Sequence, residues 1–119
     1  MTEEFRITAT ARPGGGTTLA VSGELDIVTG EELRTSLQDL LPRSPTVLVD
    51  LSGVTFLDCS GLGVLLWARR RARTTGTRLL LPVASAAVER ILGTTRLHTA
   101  FTRPGLPWTT PPPLLAAQG

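Results

Sequence analysis

Asp58-Cys59-Ser60-Gly61 sets a carboxylate, a thiol and a hydroxyl in a row where a near-continuous apolar run gives way to a helix-like pattern. Three chemistries suit such a cluster: a nucleophile, a phosphate cradle, or an acceptor that another enzyme phosphorylates. A Ser or Cys nucleophile needs a base, and the base needs an orienting partner. The single histidine, His98, lies far along the chain, and nothing in the sequence brings it to Ser60 or Cys59. The G-x-S-x-G elbow is absent, because Asp58 stands where its first glycine belongs. As a dinucleotide fingerprint the stretch is half complete. Gly61 and Gly63 match its first two glycines, but Leu66 takes the third place, and Pro82 and Val83 stand where an acidic residue should end the next strand. The local reading makes Ser60 a helix N-cap, a role worth about 1 kcal/mol over alanine. That role leaves the outer surface of the helix unexplained.

The elements that must position this cluster follow from periodicity and punctuation. Residues 5–11 alternate and read as a strand, 12–16 as a glycine-rich turn, and 17–23 as the return strand of a hairpin. The next segment, to residue 41, holds a helix. Thr29 is its expected N-cap, Glu32 completes a capping box, and Leu33, Leu37, Leu40 and Leu41 recur at helical spacing. Pro42 ends it. Residues 46–52 read as a buried strand that continues through 58 to the switch point. A second helix spans 60–76, with Gly76 just past its end. Another buried strand is expected over 77–84, a short helix over 85–95 capped by Ser85, and a strand or turn over 97–102. The order β-β-α-β-α-β-α predicts one α/β domain over residues 1–103, a mixed β-sheet with helices packed on it. The proline-rich stretch 104–119 reads as a poorly ordered tail. Ser60 then falls at the carboxyl end of a strand, where α/β proteins place their sites.

At 100° per residue, Leu62, Leu65, Ala68 and Ala72 share the core face of the second helix. Val64, Trp67 and Arg71 fall close to Ser60 on the opposite side, a strip expected to face solvent, with Gly63 adding bare backbone beside it. Trp and Arg are frequent anchors of protein interfaces. The competing reading has Trp67 covered by the tail, which holds Trp108, or by a neighbouring helix.

Composition removes several classes. The chain has 119 residues, enough for one domain, and is 41% hydrophobic, enough for a core that the scarcity of aromatics, at 4%, makes aliphatic. All twelve basic residues are arginine, but the net charge of +2 makes no general case for nucleic acid. "RRRAR" over 69–73 points in several directions around a helix and reads as a solvated flank. One cysteine excludes an internal disulfide, and with one histidine leaves no basis for a zinc site; Cys59 reads more readily as a small apolar filler than as a redox sensor. No signal peptide and no spanning segment are visible, so a cytoplasmic, soluble protein without membrane contact is expected.

"GELDIVTGEELR" followed by "VLVDLSGVTFLDCSGLGVLL" resembles the STAS domain of bacterial anti-sigma factor antagonists, over about residues 5–102. The resemblance implies a binding module rather than an enzyme, with no cofactor of its own. It implies that Ser60, the serine directly before the glycine of the D-[S/C/T]-[S/T]-G stretch, is the phosphorylation site. Cys59 replaces the serine that precedes the acceptor, and Asp26 of "GELD" is implied to lie near Ser60. The implied partners are an anti-sigma factor with a GHKL-type kinase fold and a Ser/Thr phosphatase, with no direct contact to nucleic acid. The expected partner surface comprises Asp26, Asp58, Cys59, Gly61, Gly63, Val64, Trp67 and Arg71. Two rivals stand beside this reading: a STAS module of another assembly, in stress signalling or transport, without a phospho-switch, and a small hydrolase using Ser60 or Cys59.

Overall fold

A computed structural model describes residues 4–82 and 84–104. The expected tail and Trp108 fall outside the described residues, apart from Pro104. Strand β1 (Arg6–Ala11) pairs antiparallel with β2 (Thr17–Leu25) across the expected turn, whose Gly14, Gly15 and Gly16 all have positive φ. Helix α1 (Ile27–Leu40) leads through a 3-10 turn at Leu41–Arg43 into β3 (Thr46–Leu57). Helix α2 (Cys59–Thr75) leads to β4 (Arg78–Leu80), and α3 (Ala86–Thr94) follows. Both β2–β3 and β3–β4 are parallel, so the mixed sheet has the order β1-β2-β3-β4. The order of elements is the one read from the sequence.

The sheet buries one face. Leu19, Val21 and Leu25 of β2 and Val47, Val49 and Leu51 of β3 are buried, whereas their alternating neighbours are not. Residues 46–52 therefore do not form a strand buried on both sides: Asp50 and Ser52 sit on the face that carries no core. Leu33 and Leu37 of α1, Leu62, Leu65, Ala68 and Ala72 of α2, and Val88 and Leu92 of α3 join one core cluster with the strands. The expected strand over 77–84 shortens to Arg78–Leu80. Pro82 has no N–H to extend a ladder, and the Leu81 N–H donates instead to the Thr102 carbonyl at 2.8 Å. Residues 97–102 supply that one bridge and turns rather than a strand. Gly76 ends α2 at φ 72° and Ser85 caps α3, both as expected.

Candidate functional site

Parallel pairing sets Leu25 opposite Leu57, so β2 and β3 end side by side and each hands over to a helix one residue later. The Asp58 N–H donates to the Leu25 carbonyl at 3.3 Å, which ties the two handovers together. Both caps are aspartates. Asp26 Oδ1 accepts from the Val28 and Thr29 amides at 3.0 Å each. The Thr29 hydroxyl accepts from the Asp26 N–H at 2.9 Å and donates to the Glu24 carbonyl at 2.7 Å. The Thr29 amide and then its hydroxyl, which also donates to Asp26 Oδ1 at 3.0 Å, hold the Asp26 carboxyl below its usual pKa. Asp58 Oδ1 accepts from the Gly61 amide at 3.0 Å. The cap of α1 is thus Asp26 and not Thr29, which is the third helical residue and returns the capping-box bond in place of Glu32. The cap of α2 is Asp58 and not Ser60. Aspartate and serine cap about equally well, so local preference could not choose between them.

Moving the cap to Asp58 puts Ser60 in the first turn of α2, half-buried, and frees its hydroxyl from a capping duty. That hydroxyl makes no hydrogen bond to any described residue. Ser60 also lies against α1: a Cβ added to Gly30 would sit 4.0 Å from the Ser60 carbonyl oxygen. The first-turn N–H groups of a helix favour negative charge beside them.

The remaining expected residues divide. Cys59 and Gly63 are exposed beside Ser60, and nothing lies within 4 Å of where a Gly63 Cβ would be. Gly61 is buried; a Cβ there would stand 2.8 Å from the Leu25 carbonyl oxygen and 2.5 Å from Leu57 Cδ1. Val64 is not on a solvent-facing strip. It is 8% exposed, and its Cγ2 meets the space over Gly30 of α1. A helical wheel sees one helix, whereas Val64 is covered by another. Trp67 is half-buried, with the Arg34 guanidinium of α1 5.1 Å from its ring centroid, so the neighbouring helix covers one side of it. Arg71 is exposed and shares a shallow cleft of about 180 Å³ with Trp67 and Thr74.

Three apolar residues beside the cluster escaped the sequence reading. Ile27 is 69% exposed, Val28 68% and Phe56 48%. Once Asp26 is the cap, Ile27 and Val28 become the first two helical residues of α1, matching Cys59 and Ser60 of α2. The signal lies in "GELDIV", where a cap at Thr29 leaves Ile27 and Val28 outside the helix that Asp26 starts. No hydrogen bond joins His98 to Ser60 or Cys59 among the described residues.

Comparison with solved structures finds an anti-sigma factor antagonist from Mycobacterium paratuberculosis, with a TM-score of 0.74 at 24% identity over 84% of this chain and 85% of that one. The anti-sigma factor antagonist SpoIIAA in its unphosphorylated form matches with a TM-score of 0.68 at 19% identity, over 82% and 87% of the two chains. The Bacillus cell fate determinant SpoIIAA in the phosphorylated form matches with 0.61 at 20% identity, over 84% and 90%. At these identities the likeness is one of fold. The family model described as "Mlab, STAS domain" matches residues 8–106, from β1 past the last described residue, and the chain therefore belongs to the STAS domain family.

Proposed function

We propose that this STAS domain is an anti-sigma factor antagonist gated by phosphorylation of Ser60. In its unphosphorylated form it binds an anti-sigma factor with a GHKL-type kinase fold and so releases a sigma factor; a Ser/Thr phosphatase restores it. The observation that carries the reading is the Ser60 hydroxyl, unengaged in the first turn of α2 and set beside two aspartate-capped helix ends. In the transfer, Ser60 Oγ attacks the γ-phosphorus of the kinase's ATP. The bond to ADP breaks, and the hydroxyl proton leaves to a base on the kinase. The product carries roughly −1.5 to −2 charge and three acceptor oxygens. The N-terminal amides of α2 can accommodate that charge, so the fold survives. A partner seated over Ser60, Cys59, Gly63 and the exposed Ile27, Val28 and Phe56 meets new bulk and a third anion beside Asp26 and Asp58. Trp67 and Arg71 extend the surface along α2. Asp58, Gly61 and Val64 support it from beneath, through the cap and the helix packing.

The test is to incubate the protein with GHKL-type kinases of the same genome and ATP, and to follow intact mass and complex formation. One added phosphate in wild type, none in Ser60→Ala, and loss of the complex on phosphorylation are the expected results. The Mlab description of the matching family model favours one second reading, a STAS module of another assembly in which Ser60 is not modified. Neither phosphate nor binding with any of those kinases would decide for it.

A further inference from the structure

We infer that the carboxyl-terminal half of α2 and the edge strand β4 form a second docking surface, which takes an acidic segment of a partner protein with an apolar side chain at its centre. Arg69 and Arg73 of α2 and Arg78 of β4 line a cleft of about 230 Å³ whose walls include the buried Leu80 and Phe101. Among the described residues, no Asp or Glu lines it. The ion pairs among the described residues are Arg34–Glu31, Arg43–Asp39 and Arg103–Glu89, which leaves these three guanidiniums without a carboxylate. Guanidinium groups bind carboxylates through paired, planar hydrogen bonds. An apolar floor with a cationic rim is complementary to a side chain such as leucine flanked by Glu or Asp.

Two observations favour protein over nucleic acid. A phosphate backbone would use the arginines and gain nothing from Leu80 and Phe101. The other end of α2 carries the Asp58 carboxylate, beside that of Asp26 at the start of α1, and both would repel a long polyanion. The surface is also offset from the Ser60 face: Arg69 and Arg73 stand nine and thirteen residues along the helix, roughly 14 and 20 Å at 1.5 Å per residue. This inference does not rest on the reading above.

The probe is a fluorescein-labelled twelve-residue peptide of Glu and Asp with one central leucine, followed by anisotropy at low salt. Binding should weaken at least about tenfold in the Arg73→Gln/Arg78→Gln double variant, a loss of about 1.4 kcal/mol. It should weaken severalfold when the peptide's leucine is replaced by serine. Both substituted arginines are exposed, and a thermal melt matching wild type checks that the fold is kept. Absence of peptide binding to wild type, equal binding by the double variant, or tighter binding of a twelve-nucleotide single-stranded DNA would each overturn the proposal.

Discussion

Gly61 and Gly63 stand two residues apart on α2 under opposite constraints. Gly61 lets the first turn of the helix approach the ends of β2 and β3, where a methyl group would strike the Leu25 carbonyl and Leu57. Gly63 faces open space. Gly61→Ala should destabilise the domain by about 1–3 kcal/mol through overpacking. Gly63→Ala should stabilise it by roughly 0.5–1 kcal/mol, because alanine loses less backbone entropy in a helix. Urea unfolding of the two variants checks both signs; equal effects would mean that the packing at Gly61 is not tight. From sequence the two glycines looked alike, as the first two of a half-complete dinucleotide fingerprint. The apolar-to-helix switch at Asp58–Gly61 was legible because strand and helix periods change there. Which glycine was buried was not, since that depends on the neighbouring strand. Val64 shows the same limit, because its cover comes from Gly30, thirty-four positions earlier in the chain.

Among the three α-helices, α3 has the least local means of staying in place, at nine residues. Arg103 supplies the anchor. It is fully buried, and its Nε donates to the Leu81 carbonyl at 3.0 Å. Its Nη1 donates to Glu89 Oε1 at 2.9 Å and its Nη2 to the Pro82 carbonyl at 3.1 Å, with a further close ion pair to Glu89 Oε2. One side chain thus joins α3, the loop after β4 and the segment beyond residue 100. Nothing in the sequence distinguished Arg103 from the eleven other arginines, because Leu81, Pro82 and Glu89 lie at least fourteen residues away from it. The hydrogen bonds from Arg103 hold the Glu89 carboxyl below its usual pKa, the Ala84 amide adds to the effect, and partial burial opposes it. A depressed folded-state pKa stabilises the fold above the unfolded value of about 4.5, and that stabilisation is lost as pH falls through the folded value. Arg103→Met should cost about 3 kcal/mol at neutral pH, the lower end for a broken buried pair, since Glu89 is nearly one-third exposed. It should also flatten the decline in stability below pH 4.5. Unfolding free energies measured between pH 3 and 7 test both effects, and an unchanged acid limb would remove Glu89 from the account.

The whole molecule is polarised along α2. Aspartates cap α1 and α2 at the end where Ser60 lies, and five arginines between residues 69 and 78 occupy the other end and β4. A net charge of +2 concealed this separation, because a sum carries no position. Topology was more readable than charge: the alternation of strands and helices, with parallel strands joined through single helices, leaves few other ways to order the sheet. That order, β1-β2-β3-β4, follows the chain. Each strand made during synthesis therefore meets a neighbour that is already complete, and the sheet can grow outward from the hairpin as the chain leaves the ribosome. The fastening residue comes last, since Arg103 emerges after every strand and helix that it joins. Nascent chains arrested with β4 exposed but Arg103 still inside the exit tunnel should remain protease-sensitive, and protection should appear when residue 103 clears the tunnel. Protection gained at β4 alone would mean that the sheet closes without its last arginine.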